Sequence, residues 1–97
     1  MQYNFQWDSN KAKQNYNKHN VSFERASEVF LDPFMLSIYD KVHSKSEERW
    51  ITIGMDSNDV PLVVVHTFDE IDNNNCVIRI ISTRKATKKE IKQYKYR

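Results

Sequence analysis

The chain has 97 residues, 29% charged and 39% hydrophobic, enough for one modest core but not for a separate cofactor domain. Its one glycine, Gly54, and one cysteine, Cys76, exclude a dinucleotide fingerprint, a P-loop and an internal disulfide, which suits a reducing cytosol. The net charge of +2 is uneven: residues 84–97 hold seven Lys/Arg against one Glu, while residues 1–83 hold eight against twelve acidic residues, so a basic end is available to an anionic partner.

Met1 to Trp7 has no basic-then-apolar leader pattern, and the longest apolar run, Leu62 to Val65, is too short to span a bilayer. A soluble cytoplasmic protein with no membrane contact is expected, a single domain over residues 1–97. Tyr3 to Trp7 alternates apolar and polar, the period of a half-buried strand. Asp8 or Ser9 then caps a helix to about Lys18, with Ala12, Tyr16 and His19 as a thin inward stripe. Asn20 suits a left-handed residue at its end. Ser22 caps a second helix that turns Phe23, Ala26, Val29 and Phe30 inward, with Val21 and Ala26 as its hydrophobic staple; Asp32-Pro33 stops it.

From there the period changes to two. Met35–Tyr39, Trp50–Met55, Leu62–Phe68 and Val77–Thr83 read as four strands. They are separated by a hairpin turn at Asp56–Asp59 and a polar loop from Asp69 to Asn75. Short connections between successive strands imply an antiparallel meander. Thr87-Lys88-Lys89-Glu90 is a capping box opening a basic C-terminal helix that turns Ile91 and Tyr94 inward. The fold class is α+β, in the order βααββββα.

His19, His43 and His66 lie on different elements without metal-ligand spacing, no GxSxG elbow is present, and no cofactor is expected. His66 alternates with Leu62, Val64 and Phe68 and reads as a satisfied core histidine. What remains is a set of cations and carboxylates suited to phosphoryl transfer without metal. RNA cleavage needs a base for the 2′-OH, an acid for the departing 5′-oxygen and cations around the intermediate. His43, Glu47, Glu48 and Arg49 crowd one segment; Arg79 sits between isoleucines, with Arg84 and Lys85 at the strand's end. A buried arginine is either paired, for example with Glu48, or facing a site. Lys11, Asn15 and Lys18 form a helical stripe that could follow a phosphate backbone or simply be solvated.

Taken in order, Phe5-Gln6-Trp7-Asp8 with Lys11-Ala12 and Asn15, Lys18 to Glu24, Val29 to Pro33, Asp40, His43-Ser44 and Glu47-Glu48-Arg49 resemble the BrnT family of type II toxin–antitoxin toxins. Val63 to Thr67 and Ile78 to Thr87, with Glu90 and Tyr94, continue the resemblance over nearly the whole chain. The departures are Asn20 for a usual Gly, Arg25 for a usual Glu, Thr83 for a usual Ala, and an acidic loop at Asp69, Glu70 and Asp72.

The resemblance implies a RelE-like fold and a metal-independent endoribonuclease that inhibits translation. It also implies neutralisation by a BrnA-like ribbon-helix-helix antitoxin, with operator DNA met only through that partner. The catalytic candidates are Glu48, Arg49, Arg79 and Arg84, with His19 and His43 as further acid/base groups. Lys11, Lys85, Lys88, Lys89 and Tyr94 are the candidate RNA contacts. The alternative is a toxin-fold module that binds an antitoxin or nucleic acid without catalysis. DNA binding by the last helix alone is disfavoured, because one short helix lacks a helix-turn-helix partner.

Overall fold

The structure, a computed structural model, describes residues 1–96. After strand β1 (Gln2–Gln6), helix α1 (Ser9–His19) starts at Asp8, whose carboxylate accepts the Asn10 and Lys11 N–H groups at 2.8 and 3.1 Å. It ends at Asn20, which adopts φ 58°, a conformation asparagine tolerates better than most residues. Helix α2 (Phe23–Glu28) opens at Ser22, whose Oγ accepts the Arg25 N–H at 3.2 Å. It tightens into a 3-10 turn at Val29–Leu31. Strands β2 (Leu36–Tyr39), β3 (Trp50–Met55), β4 (Pro61–His66), β5 (Asp69–Glu70) and β6 (Asn75–Lys85) follow, then helix α3 (Lys88–Lys95).

The main path across the sheet runs β1-β6-β4-β3-β2. The pairs β2–β3, β3–β4 and β4–β6 are antiparallel, as the expected meander requires, while β1 joins β6 in parallel and makes the sheet mixed. The α+β class and the element order agree with expectation, with one addition. Strand β5 forms inside the segment read as a polar loop, because β6 is long enough for the chain before it to fold back and pair with Val77 and Cys76.

Helices α1 and α2 cover one sheet face. There Val21, Phe23, Ala26, Val29 and Phe30 pack on Leu62, Val64, Cys76, Ile78 and Ile80. Each fully buried large side chain in such a layer contributes about 1.5–3 kcal/mol. Gly54 allows the 3-10 turn to approach β3: a Cβ there would lie 2.7 Å from Val29 Cγ1. His66 is buried on this face as expected, 2.6 Å from Thr52 Oγ1 through Nε2 and 2.8 Å from the Thr67 carbonyl through Nδ1. Burial pushes its pKa down, partly offset by the Thr67 bond. Arg25 pairs with Asp56 at 3.0 Å, and Asp56 in turn accepts the Asn58 and Val60 N–H groups, each at 2.9 Å, which fixes the hairpin turn.

The inward stripe of α1 differs from the expected one. Tyr16 is 51% exposed, whereas Asn15 is buried. Strand β1 pairs with β6 only as far as Arg79, so Thr83 has no strand on that side. Asn15 takes its place: Oδ1 accepts the Thr83 N–H at 3.1 Å and Nδ2 donates to the Thr83 carbonyl at 3.0 Å. The same Nδ2 donates to the Val21 carbonyl at 3.1 Å.

Helix α3 lies over one end of the other sheet face, where Tyr94 packs with Ile53 and Val63 and donates a hydrogen bond to Asp32. The capping box forms as expected. Arg84 grips Glu90 with two bonds of 2.8 Å, which chiefly holds the Glu90 carboxyl down to about 2 from an ordinary 4.5.

Replacing Asn15 with Ala should destabilise the fold by about 2–4 kcal/mol in urea titration, because buried backbone groups at Thr83 and Val21 lose their partners. For Glu90, a carboxyl depressed by folding adds stability that is complete above its unfolded pKa and lost as pH falls through its folded value. With Arg84 42% exposed, solvent screening leaves this contribution at about 1–2 kcal/mol. Glu90→Gln should lose that amount at neutral pH, and its stability should fall less than that of the wild type as pH drops from about 5 to about 2.

Candidate functional site

Beyond α3, the second face of the sheet is open. The cross-strand register sets Ile51 against Val65, Val65 against Ser82 and Val63 against Arg84. A β-bulge between Val65 and His66, where His66 pairs with Ile80 and Val65 with Ser82, inserts Ile81 into β6. Such a bulge bends the strand and re-aims its side chains. A depression of about 370 Å³ lies over this floor, lined by Asp40, Val42, His43, Arg49, Ile51, Val65, Ile81 and Ser82. An adjoining one of about 270 Å³ is lined by His19, Ile51, Val63, Val65, Ser82, Thr83, Arg84 and Glu90. A third, with Lys11, Lys18 and His19, shares Ile81 and Ser82. Together they form one groove with an aliphatic floor and a polar, largely cationic rim.

Asp40 holds one side of that rim. It is buried, its N–H donates to the Arg49 carbonyl at 2.9 Å, and Ser44 Oγ donates to its carbonyl while accepting the Arg49 N–H at 3.0 Å. The loop from 40 to 49 is thus pinned at both ends. The Asp40 carboxylate accepts the His43 N–H at 3.3 Å and lies 3.0 Å from His43 Nδ1. An ionised carboxylate only accepts, so this contact favours a proton on Nδ1 and leaves Nε2 of the neutral ring as an acceptor. The His43 side chain is 65% exposed, open to a substrate.

Across the floor, the last turn of α1 supplies His19. Its position follows from the Asn15 clamp, because residues four apart on a helix share a face. His43 and His19 therefore border adjoining depressions that share Ile51, Val65 and Ser82.

Beside the groove, two arginines converge on Glu47; among Glu47, Glu48, Arg49 and Arg79, only Arg49 lines the depressions. Arg49 Nη2 lies 3.4 Å from Glu47 Oε1, and Arg79 Nη2 bonds Glu47 Oε2. The hydrogen bond from Arg79 is the largest influence on Glu47 and keeps its carboxyl below the ordinary value, against a partial desolvation. Glu48 was the example of a partner for Arg79 that the chain suggested. That carboxylate is instead exposed and bonds to no other described residue.

Of the remaining candidates, Arg84 borders the groove with its guanidinium committed to Glu90. Lys11 lines the groove's far end. Lys85, Lys88 and Lys89 are exposed and are not among the residues lining these depressions. Tyr94, a candidate RNA contact, is 8% exposed and faces the core, so it holds α3 in place rather than meeting a ligand. Asn15 is likewise withdrawn from any phosphate-tracking stripe by its bonds to Thr83.

Asp40 and Glu47 were not singled out as site residues from the chain alone. The Asp40–His43 spacing was a visible signal, whereas nothing local distinguishes Glu47 from Glu48. Among the described residues no three His, Cys, Asp or Glu side chains gather as a metal site. A separate pocket of about 230 Å³ on the helix-covered face, lined by Tyr3, Phe30, Met35, Ser37, Trp50, His66 and Phe68, holds none of the candidates. No helix among the described residues is long and apolar enough to cross a membrane.

No curated protein matches the chain. Residues 7–90, which contain every groove residue named above, match the family described as ribonuclease toxin, BrnT, of type II toxin-antitoxin system. The chain therefore belongs to the BrnT family of ribonuclease toxins of type II toxin–antitoxin systems.

Proposed function

We propose that this protein is a metal-independent endoribonuclease that cleaves RNA in the groove, by attack of a ribose 2′-OH on the adjacent phosphate, and so inhibits translation in the cytoplasm. A BrnA-like ribbon-helix-helix antitoxin holds it inactive, and operator DNA is reached only through that antitoxin. The observation that carries the reading is that His43 with Arg49, and His19 with Arg84, line adjoining depressions that share Ile51, Val65 and Ser82.

In this reading one histidine removes the 2′-OH proton and the other protonates the leaving 5′-oxygen. His43 suits the base role, because Asp40 steadies its ring with the proton on Nδ1 and leaves Nε2 free to accept. Arg49 in the groove, and Arg79 beside it at Glu47, neutralise the charge that builds on the phosphorane, and a guanidinium can meet two phosphate oxygens at once. The aliphatic floor of Ile51 and Val65 takes the ribose or base, and Lys11 and Lys18 lead the backbone along α1. The exposed lysines of α3 add long-range attraction rather than contacts at the scissile bond.

A second reading, binding without catalysis, is favoured by one observation: Arg49, Arg79 and Arg84 all face carboxylates. Incubating purified protein with labelled RNA in excess EDTA separates the two. Cleavage is expected to persist; cleavage that stops and returns with Mg²⁺ would overturn the metal-free mechanism, and none under any condition would favour the binding module. Arg79→Lys should keep the ion pair with Glu47 and a thermal midpoint near wild type, yet lose at least ~100-fold in cleavage, because lysine cannot bridge two phosphate oxygens. Residual activity that simply follows the folded fraction would make Arg79 structural.

A further inference from the structure

We propose that Glu47 is a tethered anion that occupies the phosphate site formed by Arg49 and Arg79, so that RNA must displace a built-in competitor before the two guanidiniums engage it. This rests on the reading of the groove as an RNA site, and it assigns Glu47 a gating role distinct from acid, base or charge stabiliser.

The geometry carries it. Each oxygen of one carboxylate faces a different arginine: Oε1 lies 3.4 Å from Arg49 and Oε2 is bonded to Arg79. A phosphate presents the same pairing of anionic oxygens, so the position of the Glu47 carboxylate marks where a phosphate would meet both guanidiniums. The two arginines come from separate places, Arg79 within β6 and Arg49 at the pinned end of the loop just before β3, so their meeting point is set by the sheet and that anchor, whereas Glu47 comes from inside the loop between Asp40 and Arg49. The anchors of that loop are Asp40, Ser44 and Arg49, and Glu47 itself adds only its bonds to the arginines. A swing of Glu47 outward therefore breaks no other bond described for it.

Glu47, Arg49 and Arg79 side chains are each about one-third exposed, so the pairs are solvent-screened and weak enough for a polyanion to replace. The Arg84–Glu90 pair is different, because Glu90 also accepts the Thr87 N–H in the α3 cap. Displacing Glu90 would cost the helix its start, so it serves structure while Glu47 is available to exchange.

The test uses a short 2′-O-methyl RNA oligonucleotide, which cannot be cleaved by 2′-oxygen attack, with binding read by fluorescence anisotropy at low salt. Glu47→Gln should bind it about 3- to 10-fold more tightly than wild type, the range expected when one screened competitor for two cations is removed. Glu48→Gln removes the same charge from the next residue without touching either arginine and should gain less than about 2-fold. The gain should vanish in the double variant Glu47→Gln/Arg79→Gln. Glu47→Ala should reproduce the gain, which guards against an effect peculiar to the amide, and thermal midpoints confirm folding.

Unchanged or weaker binding by both Glu47 variants, or an equal gain in Glu48→Gln, would overturn the proposal. Cleavage of unmodified RNA is scored in parallel. Tighter binding by Glu47→Gln with no cleavage by any variant would remove the nuclease reading and keep the gate. Cleavage by wild type without tighter binding by the Glu47 variants would remove the gate and keep the nuclease.

Discussion

The outer edge of β6 beyond Arg79 is the constraint around which the molecule is arranged. A buried strand residue needs both its N–H and its carbonyl bonded, and β1 stops short of Thr83. The Asn15 carboxamide offers an acceptor and a donor in the spacing of a neighbouring strand and closes both bonds. A helix thereby docks at a fixed rotation against a sheet edge. The same amide also bonds the Val21 carbonyl, where the chain turns into α2. The depth of Val21 and Phe23 in the core, and the placing of Lys18 and His19 over the second face, depend on this one side chain.

The two sheet faces have different uses because their covers differ. Helices α1 and α2 close one face with a continuous apolar layer. Over the other, the short α3 packs through Tyr94 with Ile53 and Val63, and Ile51 borders that cluster while lining, with Val65, the floor of the groove. Tyr94 bonded to Asp32, together with Arg84 bonded to Glu90, anchors α3 at the margin. The bulge at Ile81 then turns the end of β6 so that Ser82 and Arg84 share that face with Val63 and Val65.

Burial divides three histidines and several carboxylates among different tasks. His66 is buried against the core, and burial favours its neutral form; His43 has one buried partner, Asp40, and an open face. Asp56 shows the carboxylate version: burial opposes its charge, yet bonds from Val60, Arg25 and Asn58 outweigh that and keep it ionised. It is spent on a turn. Glu47, in contrast, answers to two arginines on a screened surface, where a competing anion meets little resistance.

Local patterns determined much of this in advance. The caps at Ser22 and Thr87, the first cap to within Asp8 or Ser9, the left-handed Asn20, the meander and the core position of His66 were all legible, because each depends on residues within a few positions or on a period of two or 3.6. The family, too, was legible in ordered short motifs such as Lys18-His19-Asn20-Val21-Ser22-Phe23 and Arg79 to Thr87. Tertiary structure alone decided the parallel docking of β1, the added β5, the burial of Asn15 in place of Tyr16, and the choice of Glu47 over Glu48. Each of these turns on a partner far along the chain: Asn15 meets Thr83, and Glu47 meets Arg79. A helical wheel cannot distinguish two adjacent polar positions, and a pair of glutamates is symmetric in sequence. Only the unsatisfied backbone of β6, and the side of the sheet on which Arg79 emerges, select one from each pair.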